Sequence, residues 1–116
     1  KSAPGMLDSH YAPSKKLVLI DEGQDADFSS AALLSFRGKN TARAEFCEVL
    51  SRNGNVREAA ANLFSALHKM DQLPVSMIYA EKIPEEGIGL AVMNRLRKAS
   101  AERKYDFEVN SGLTNA

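Results

Sequence analysis

The fold of this chain is decided by the stretch NVREAAANLFSALHKMDQLPVSMIYA, residues 55–80. Its first part repeats apolar residues with a period of 3.6, which predicts an amphipathic helix over residues 56–70. Asn55 is a good N-cap, and Glu58 lies three residues later as its capping-box partner. The short apolar run at 75–80 predicts a buried strand. A helix followed directly by a buried strand is typical of α/β proteins.

Short segments on either side of this stretch complete the predicted elements. Residues 16–20 and 31–36 are apolar runs closed by turn residues, and they predict two more strands. Residues 42–51 are ambiguous, because their periodicity favours a helix but turn residues follow at once; we predict a strand over 44–50, partly from the family resemblance described below. Residues 87–100 predict a second amphipathic helix. This order predicts an α/β layered fold with a partly parallel sheet.

Composition excludes several classes of function. The 116 residues suffice for one domain, and 15 basic side chains balance 15 acidic ones. A balanced chain has neither the basic footprint of a nucleic-acid-binding domain nor the polybasic patch of a membrane-surface protein. The single cysteine, Cys47, excludes an internal disulfide framework and a multi-cysteine zinc site, and it fits a reducing, cytoplasmic setting. No apolar run approaches the roughly 20 residues of a membrane span.

The first 14 residues, KSAPGMLDSHYAPS, form a distinct leader. Proline restricts the backbone and Gly5 permits a bend, so we expect a stiff, extended arm. Near its end the arm carries His10 and Tyr11, which can hydrogen-bond a phosphate or stack on a base. The alternative is a linker that packs on its own domain. Because the chain begins at Lys1, we expect it to be a fragment cut within the linker of a longer protein.

Other reactive side chains favour structural roles. Cys47 lies in an apolar segment close to Glu45 and Glu48, and negative neighbours disfavour a thiolate, so we expect a buried, inert thiol. His68 lies beside Lys69 on the polar edge of the first helix and is expected to be solvated. Two histidines and one cysteine show no metal-ligand spacing, so no metal site is predicted.

The sequence Gly87-Ile88-Gly89 opens the second helix as a phosphate-binding loop would. It lacks the third glycine of the dinucleotide fingerprint and the Gly-Lys-Ser/Thr of a P-loop, and the preceding Glu85 and Glu86 would repel a phosphate. We therefore expect these glycines to let the helix pack tightly on the sheet. The acidic pairs of this chain, Asp25 with Asp27 and Glu85 with Glu86, are expected to be solvated loop residues. No catalytic residue is predicted.

Two segments of the leader carry a family resemblance. The run SAPGM at 2–6, followed by HYAP at 10–13, resembles the linker of the two-domain threonylcarbamoyl-AMP synthases, the long YrdC-containing enzymes of tRNA threonylcarbamoyladenosine synthesis. The helical segment beginning EAAANLF at 58–64 and the segment IPEEGIGLA at 83–91 are similar to parts of the C-terminal domain of that family. The resemblance spans roughly residues 2–101.

The resemblance implies a function for the whole polypeptide and a supporting role for this chain. The whole enzyme, a nucleotidyltransferase of tRNA modification and translation, makes threonylcarbamoyl-AMP and pyrophosphate from L-threonine, bicarbonate and ATP. Its chemistry resides in an N-terminal YrdC-like domain, whose lysine- and arginine-bearing motifs have no counterpart here. This chain is then a non-catalytic linker and C-terminal domain with no cofactor of its own. ATP, with Mg, belongs to the intact enzyme.

The resemblance also divides the chain and assigns its arm a role. Residues 1–14 are the interdomain linker, 15–104 a Rossmann-like α/β domain with about four to five mostly parallel strands, and 105–116 a polar tail. The linker acts as a lid over the catalytic site of the N-terminal domain. The candidates for nucleotide contact are His10 and Tyr11, and the residues expected to shape the arm are Pro4, Gly5 and Pro13.

The implied partners are the YrdC-like domain and, through it, ATP and L-threonine. Neither direct nucleic-acid binding nor a membrane contact is expected, and the implied location is the cytoplasm. The alternative is a free-standing protein-interaction or regulatory α/β module, in which the arm binds a protein partner.

Overall fold

Four short strands form one parallel sheet in the computed structural model, which describes the backbone of residues 15–115 and the side chains of residues 15–101. The sheet has the order β1-β4-β2-β3, and every neighbouring pair is parallel. The strands are β1 (Lys16–Ile20), β2 (Ala31–Ser35), β3 (Phe46–Val49) and β4 (Met77–Glu81). With two helices, this architecture confirms the predicted α/β fold.

The third strand confirms the strand predicted over 44–50, although the local periodicity favours a helix. Its segment has a helical periodicity, but the chain forms only a 3₁₀ turn at Thr41–Arg43, which ends in the extended Ala44. The following strand pairs with β2 in parallel register. Pairing with a neighbouring strand therefore overrides a local apolar period that is too short to specify a stable helix.

The first helix, α1 (Val56–Asp71), begins at the predicted N-cap. The Asn55 Oδ1 accepts a hydrogen bond from the Glu58 backbone N–H at 2.8 Å. The predicted reciprocal bond of the capping box is indirect. The Ser51 hydroxyl accepts from the Asn55 N–H at 2.8 Å and donates to the Glu58 carboxylate at 2.5 Å. The hydroxyl of the buried Ser51 therefore links the backbone N–H of the N-cap residue to the Glu58 carboxylate.

The second helix, α2 (Ile88–Asn115), is longer than predicted. The predicted end at Ser100, where the apolar stripe stops, is wrong. No proline or glycine lies between Gly89 and Gly112, so nothing in the local sequence stops the helix. Neither described helix combines the length and apolar character needed to cross a membrane.

Both helices lie on the same face of the sheet. Helix α2 packs against β1 and α1, and α1 packs against β2. This helix face holds the larger core, which includes Leu17, Leu34, Leu63, Leu67, Met70, Ile78, Met93 and Leu96. The opposite face, which we call the outer face, carries a smaller cluster formed by Ile20, Phe28, Leu33 and Ala44. The helices therefore bury one side of the sheet, and among the described residues loop segments cover part of the other.

The loop before α2 explains one of the two glycines at its start. A Cβ added to Gly89 would lie 2.0 Å from the Pro84 carbonyl oxygen and 2.9 Å from the Val56 Cγ1. Gly89 therefore allows close packing against the preceding loop and α1, rather than against the sheet as predicted. Gly87 has a φ of 54°, and a Cβ there would meet nothing within 4 Å.

We expect Gly89→Ala to destabilise the domain by about 1–3 kcal/mol, since the backbone carbonyl that blocks the new methyl group can yield only if the loop moves. Urea unfolding followed by circular dichroism measures the change. Gly87→Ala is the matched control, because it adds the same methyl group in open space at the cost of backbone strain alone. Equal stability of Gly89→Ala and the wild type would show that the close approach is not present in solution.

Candidate functional site

The residues predicted to contact a nucleotide, His10 and Tyr11, lie outside the described residues, as do Pro4, Gly5 and Pro13. The described chain begins directly after the arm, at Lys15. The Lys15 Nζ donates a hydrogen bond of 2.6 Å to the backbone carbonyl of Asp71, the last residue of α1. A cation at the carboxyl end of a helix is favourable, because unpaired carbonyls give that end a partial negative charge. The point at which the arm joins the domain is therefore anchored to α1.

A buried carboxylate, Glu81, organises the carboxyl edge of the sheet. It ends β4 and is only 1% exposed. Its Oε1 accepts hydrogen bonds from the Ser35 hydroxyl at 3.0 Å and from the Phe36 backbone N–H at 2.8 Å. Its Oε2 accepts from the Gly23 backbone N–H at 2.9 Å. One side chain thus joins the loops that follow β1, β2 and β4.

The cation beside this carboxylate is Arg43, in the 3₁₀ turn before β3. Its Nη2 lies 3.4 Å from the Glu81 Oε2, and its Nη1 donates to the Gly23 carbonyl at 3.4 Å. The guanidinium lies 5.0 Å from the centroid of the Phe28 ring, within cation–π range. The Arg43 side chain is 11% exposed, and its buried Nε has no hydrogen-bond partner among the described residues. The connection before β3 is therefore held by the same cluster.

This arrangement makes Glu81 a structural anchor rather than a reactive group. Open α/β sheets bind ligands in the crevice at the carboxyl ends of their strands. Here the side chain of Glu81 occupies that edge, and its two oxygens already accept from three uncharged donors and face Arg43. A carboxylate in this state has no free lone pair directed at a substrate, so we assign it no acid–base role.

Sequence reasoning missed this cluster, because the strand predicted at 75–80 ends just before Glu81. The strand starts two residues later, since Val75 closes a turn onto the Leu73 carbonyl. The available signal was the apolar context of the glutamate, Ile78-Tyr79-Ala80 before it and Ile83 after it. A lone acidic residue inside such a run indicates a buried carboxylate with partners.

The remaining reactive candidates match the structural interpretation, except that Cys47 is half-buried rather than buried. Burial, followed by the nearby Glu81 and Glu48 carboxylates, raises the pKa of the half-buried Cys47 thiol, which keeps it protonated. The Asp27 carboxylate accepts from Ser29, which lowers its pKa, and Glu85 pairs with Arg97, which lowers the pKa of Glu85. His68 is exposed on α1.

A bidentate ion pair lies next to the Glu81 cluster. Arg37 Nε and Nη2 donate to the Glu22 carboxylate at 2.7 and 2.8 Å, and these hydrogen bonds lower the pKa of Glu22. The pair joins the loops after β1 and β2 at the surface. Within the part of the chain that the structure describes, no group of three histidine, cysteine or acidic side chains could hold a metal ion.

The fold and the anchored carboxyl edge define a small parallel α/β domain. Among the residues that the structure describes, no set of side chains forms a catalytic site. The family model described as "Threonylcarbamoyl-AMP synthase, C-terminal domain" matches residues 1–101. The chain belongs to this family, which confirms the resemblance drawn from the sequence.

The relatives that this chain matches are longer than it. It is 39% identical over 110 residues to the threonylcarbamoyl-AMP synthase of Pyrococcus abyssi, covering 87% of this chain and 32% of that protein. It is 33% identical over 112 residues to the Bacillus subtilis synthase, with the same coverage. The chain therefore spans about a third of the length of the relatives it matches.

Solved structures support the fold. The crystal structure of P. abyssi Sua5 complexed with L-threonine aligns with a TM-score of 0.66 at 37% identity, covering 81% of this chain and 30% of that one. A P. abyssi Sua5 variant, in which a histidine and the tyrosine after it are both replaced by alanine, aligns with a TM-score of 0.65 at 35% identity. That alignment covers 89% of this chain and 32% of the other.

Proposed function

We propose that this chain is the linker and non-catalytic C-terminal domain of a threonylcarbamoyl-AMP synthase, and that the arm of residues 1–14 is a lid over the catalytic site of the preceding domain. The observation that carries the proposal is the family match, which includes the arm as well as the globular domain. The reaction joins L-threonine, bicarbonate and ATP into threonylcarbamoyl-AMP, with release of pyrophosphate and water. The product is used for tRNA modification. We propose that the protein is located in the cytoplasm.

The roles divide between the two domains. We place ATP, with its magnesium ion, and L-threonine in the N-terminal YrdC-like domain, as the resemblance to this family implies. Closing a lid excludes water from a site, which protects a labile acyl-adenylate-like product from hydrolysis. The domain after the arm fixes its far end, through the contact of Lys15 with the last residue of α1.

His10 and Tyr11 are the proposed nucleotide contacts. They form the only consecutive His-Tyr pair in this sequence. A solved relative carries alanine in place of a consecutive histidine and tyrosine. This variant supports a functional role for such a pair in this family. An imidazole can donate to a phosphate and a phenol ring can stack on a base, so the pair suits an adenylate.

Pyrophosphate release tests the assignment. We expect the purified 116-residue chain to release none from ATP, L-threonine and bicarbonate, and the complete polypeptide to release it only when all three are present. Turnover by the chain alone would overturn its non-catalytic role. No turnover by the complete polypeptide would favour the alternative, a protein-interaction module.

A further inference from the structure

The outer face of the sheet remains open along β1 and β4. Val18 and Tyr79 are partly buried side chains at the margin of the small outer cluster, and they lie in register with each other. Met77 is half-buried and Lys16 is exposed, and these two also pair in register. Alternation along a strand puts all four side chains on the same face. We call this surface, formed by Lys16, Val18, Met77 and Tyr79, the open flank.

Most of the remaining positions of the outer face are closed by the chain itself, and the exceptions are Cys47 and Val49 of β3, which are half-buried. Leu33, in the middle of β2, is fully buried, and Phe28 packs edge-on against Tyr79 with ring centroids 5.2 Å apart. At the carboxyl edge, Ile20 and Glu81 are buried as well. On β1 and β4 the outer face is therefore closed at the carboxyl ends and partly open at the amino ends and in the middle of the strands.

A purely parallel sheet that is covered on one face only is unusual. Such sheets occur almost entirely in proteins where both faces are buried, because their strands are apolar on both sides. Methionine and tyrosine are enriched in the cores of protein interfaces. The open flank therefore has the composition of a surface that another folded unit covers.

The position of the flank indicates which unit covers it. Relatives of this chain are about three times its length, and the family is described as a C-terminal domain, so most of such a protein precedes residue 1. The preceding polypeptide arrives through the arm at Lys15 and Lys16, and Lys16 is itself part of the flank. A domain tethered by 14 residues, at most about 50 Å of chain, is held near this domain at high effective concentration.

From this we infer that the open flank is the docking surface for the N-terminal catalytic domain of the same polypeptide, an inference that rests on the proposed function. Docking at this face sets the distance between the anchored end of the arm and the catalytic site. A second candidate docking surface lies at the start of α2. There, Ile88 and Leu90 are 45% and 48% exposed.

Site-specific photocrosslinking in the complete polypeptide tests the inference. A photoreactive benzophenone amino acid replaces Met77 on the flank, Ile88 on the second candidate surface, or Ser65 on the exposed side of α1 as the control. Val18 is a second flank position in case the variant at 77 does not fold. Irradiated protein is separated by gel mobility, and the crosslinked peptides are identified by mass spectrometry.

We expect intramolecular crosslinks from positions 77 and 18 to peptides of the N-terminal domain, and none from position 65. Crosslinks from position 88 alone, crosslinks from 77 only to residues 1–14, or crosslinks only between two molecules would overturn the inference. Pyrophosphate release by the same samples separates the two proposals. An active polypeptide without flank crosslinks refutes the docking surface, whereas an inactive one refutes the proposed function.

Discussion

Replacing Glu81 by alanine is expected to destabilise the domain by about 3–5 kcal/mol. The substitution leaves Arg43 as an almost buried cation without its carboxylate. It also removes the acceptor for the Ser35 hydroxyl and for two backbone N–H groups, each of which is costly to bury unpaired. Because a small domain has only about 5–15 kcal/mol of stability, part of the variant will be unfolded at 37 °C.

The measurement is urea unfolding monitored by circular dichroism. Glu86→Ala is the matched control, since Glu86 is exposed in the next loop and its loss should change stability by no more than about 0.5 kcal/mol. The double variant Glu81→Met with Arg43→Met should be less destabilised than the sum of the two single variants, because it removes both charges together. A Glu81→Ala variant as stable as the wild type would mean that the carboxyl edge is not held by this carboxylate.

Replacing His10 and Tyr11 together by alanine in the complete polypeptide is expected to lower kcat/KM for threonylcarbamoyl-AMP formation by roughly 100-fold, the scale expected when a positioning contact is lost. The lifetime of the bound product should fall as well, because an incomplete lid admits water. Quantifying threonylcarbamoyl-AMP and its breakdown products by liquid chromatography measures both quantities.

Two controls sharpen this result. Tyr11→Phe keeps the ring and removes the hydroxyl, so it separates stacking from hydrogen bonding. His68→Ala removes a histidine that is exposed on α1, outside the arm, and should leave the rate unchanged. If the arm variant turned over like the wild type and held its product equally long, the arm would have no role at the catalytic site.

Local sequence signals were enough to predict most of the elements. The apolar runs of β1, β2 and β4 and the N-cap of α1 act within a few residues, so their structure is encoded where they occur. The domain family could also be identified from the arm together with two helical motifs. The end of α2 was missed, because the end of an apolar stripe does not stop a helix that lacks a breaking residue.

The anchored carboxyl edge could not be predicted in the same way. Glu81 and Arg43 are 38 positions apart, and they meet only because the strand order places β4 between β1 and β2. Strand order depends on how helices and loops pack across the whole domain, which no local period reveals. The link through Ser51 was hidden for a similar reason, since a serine four residues before an N-cap has no distinctive pattern.

The most direct measurement of the proposed lid is a crystal structure of the complete polypeptide with bound threonylcarbamoyl-AMP. We expect the arm to cross the mouth of the catalytic site, with the side chain of His10 or Tyr11 at about 3 Å from the adenylate. An ordered arm directed away from the nucleotide, with both side chains beyond hydrogen-bonding and stacking distance, would contradict the function proposed for this chain.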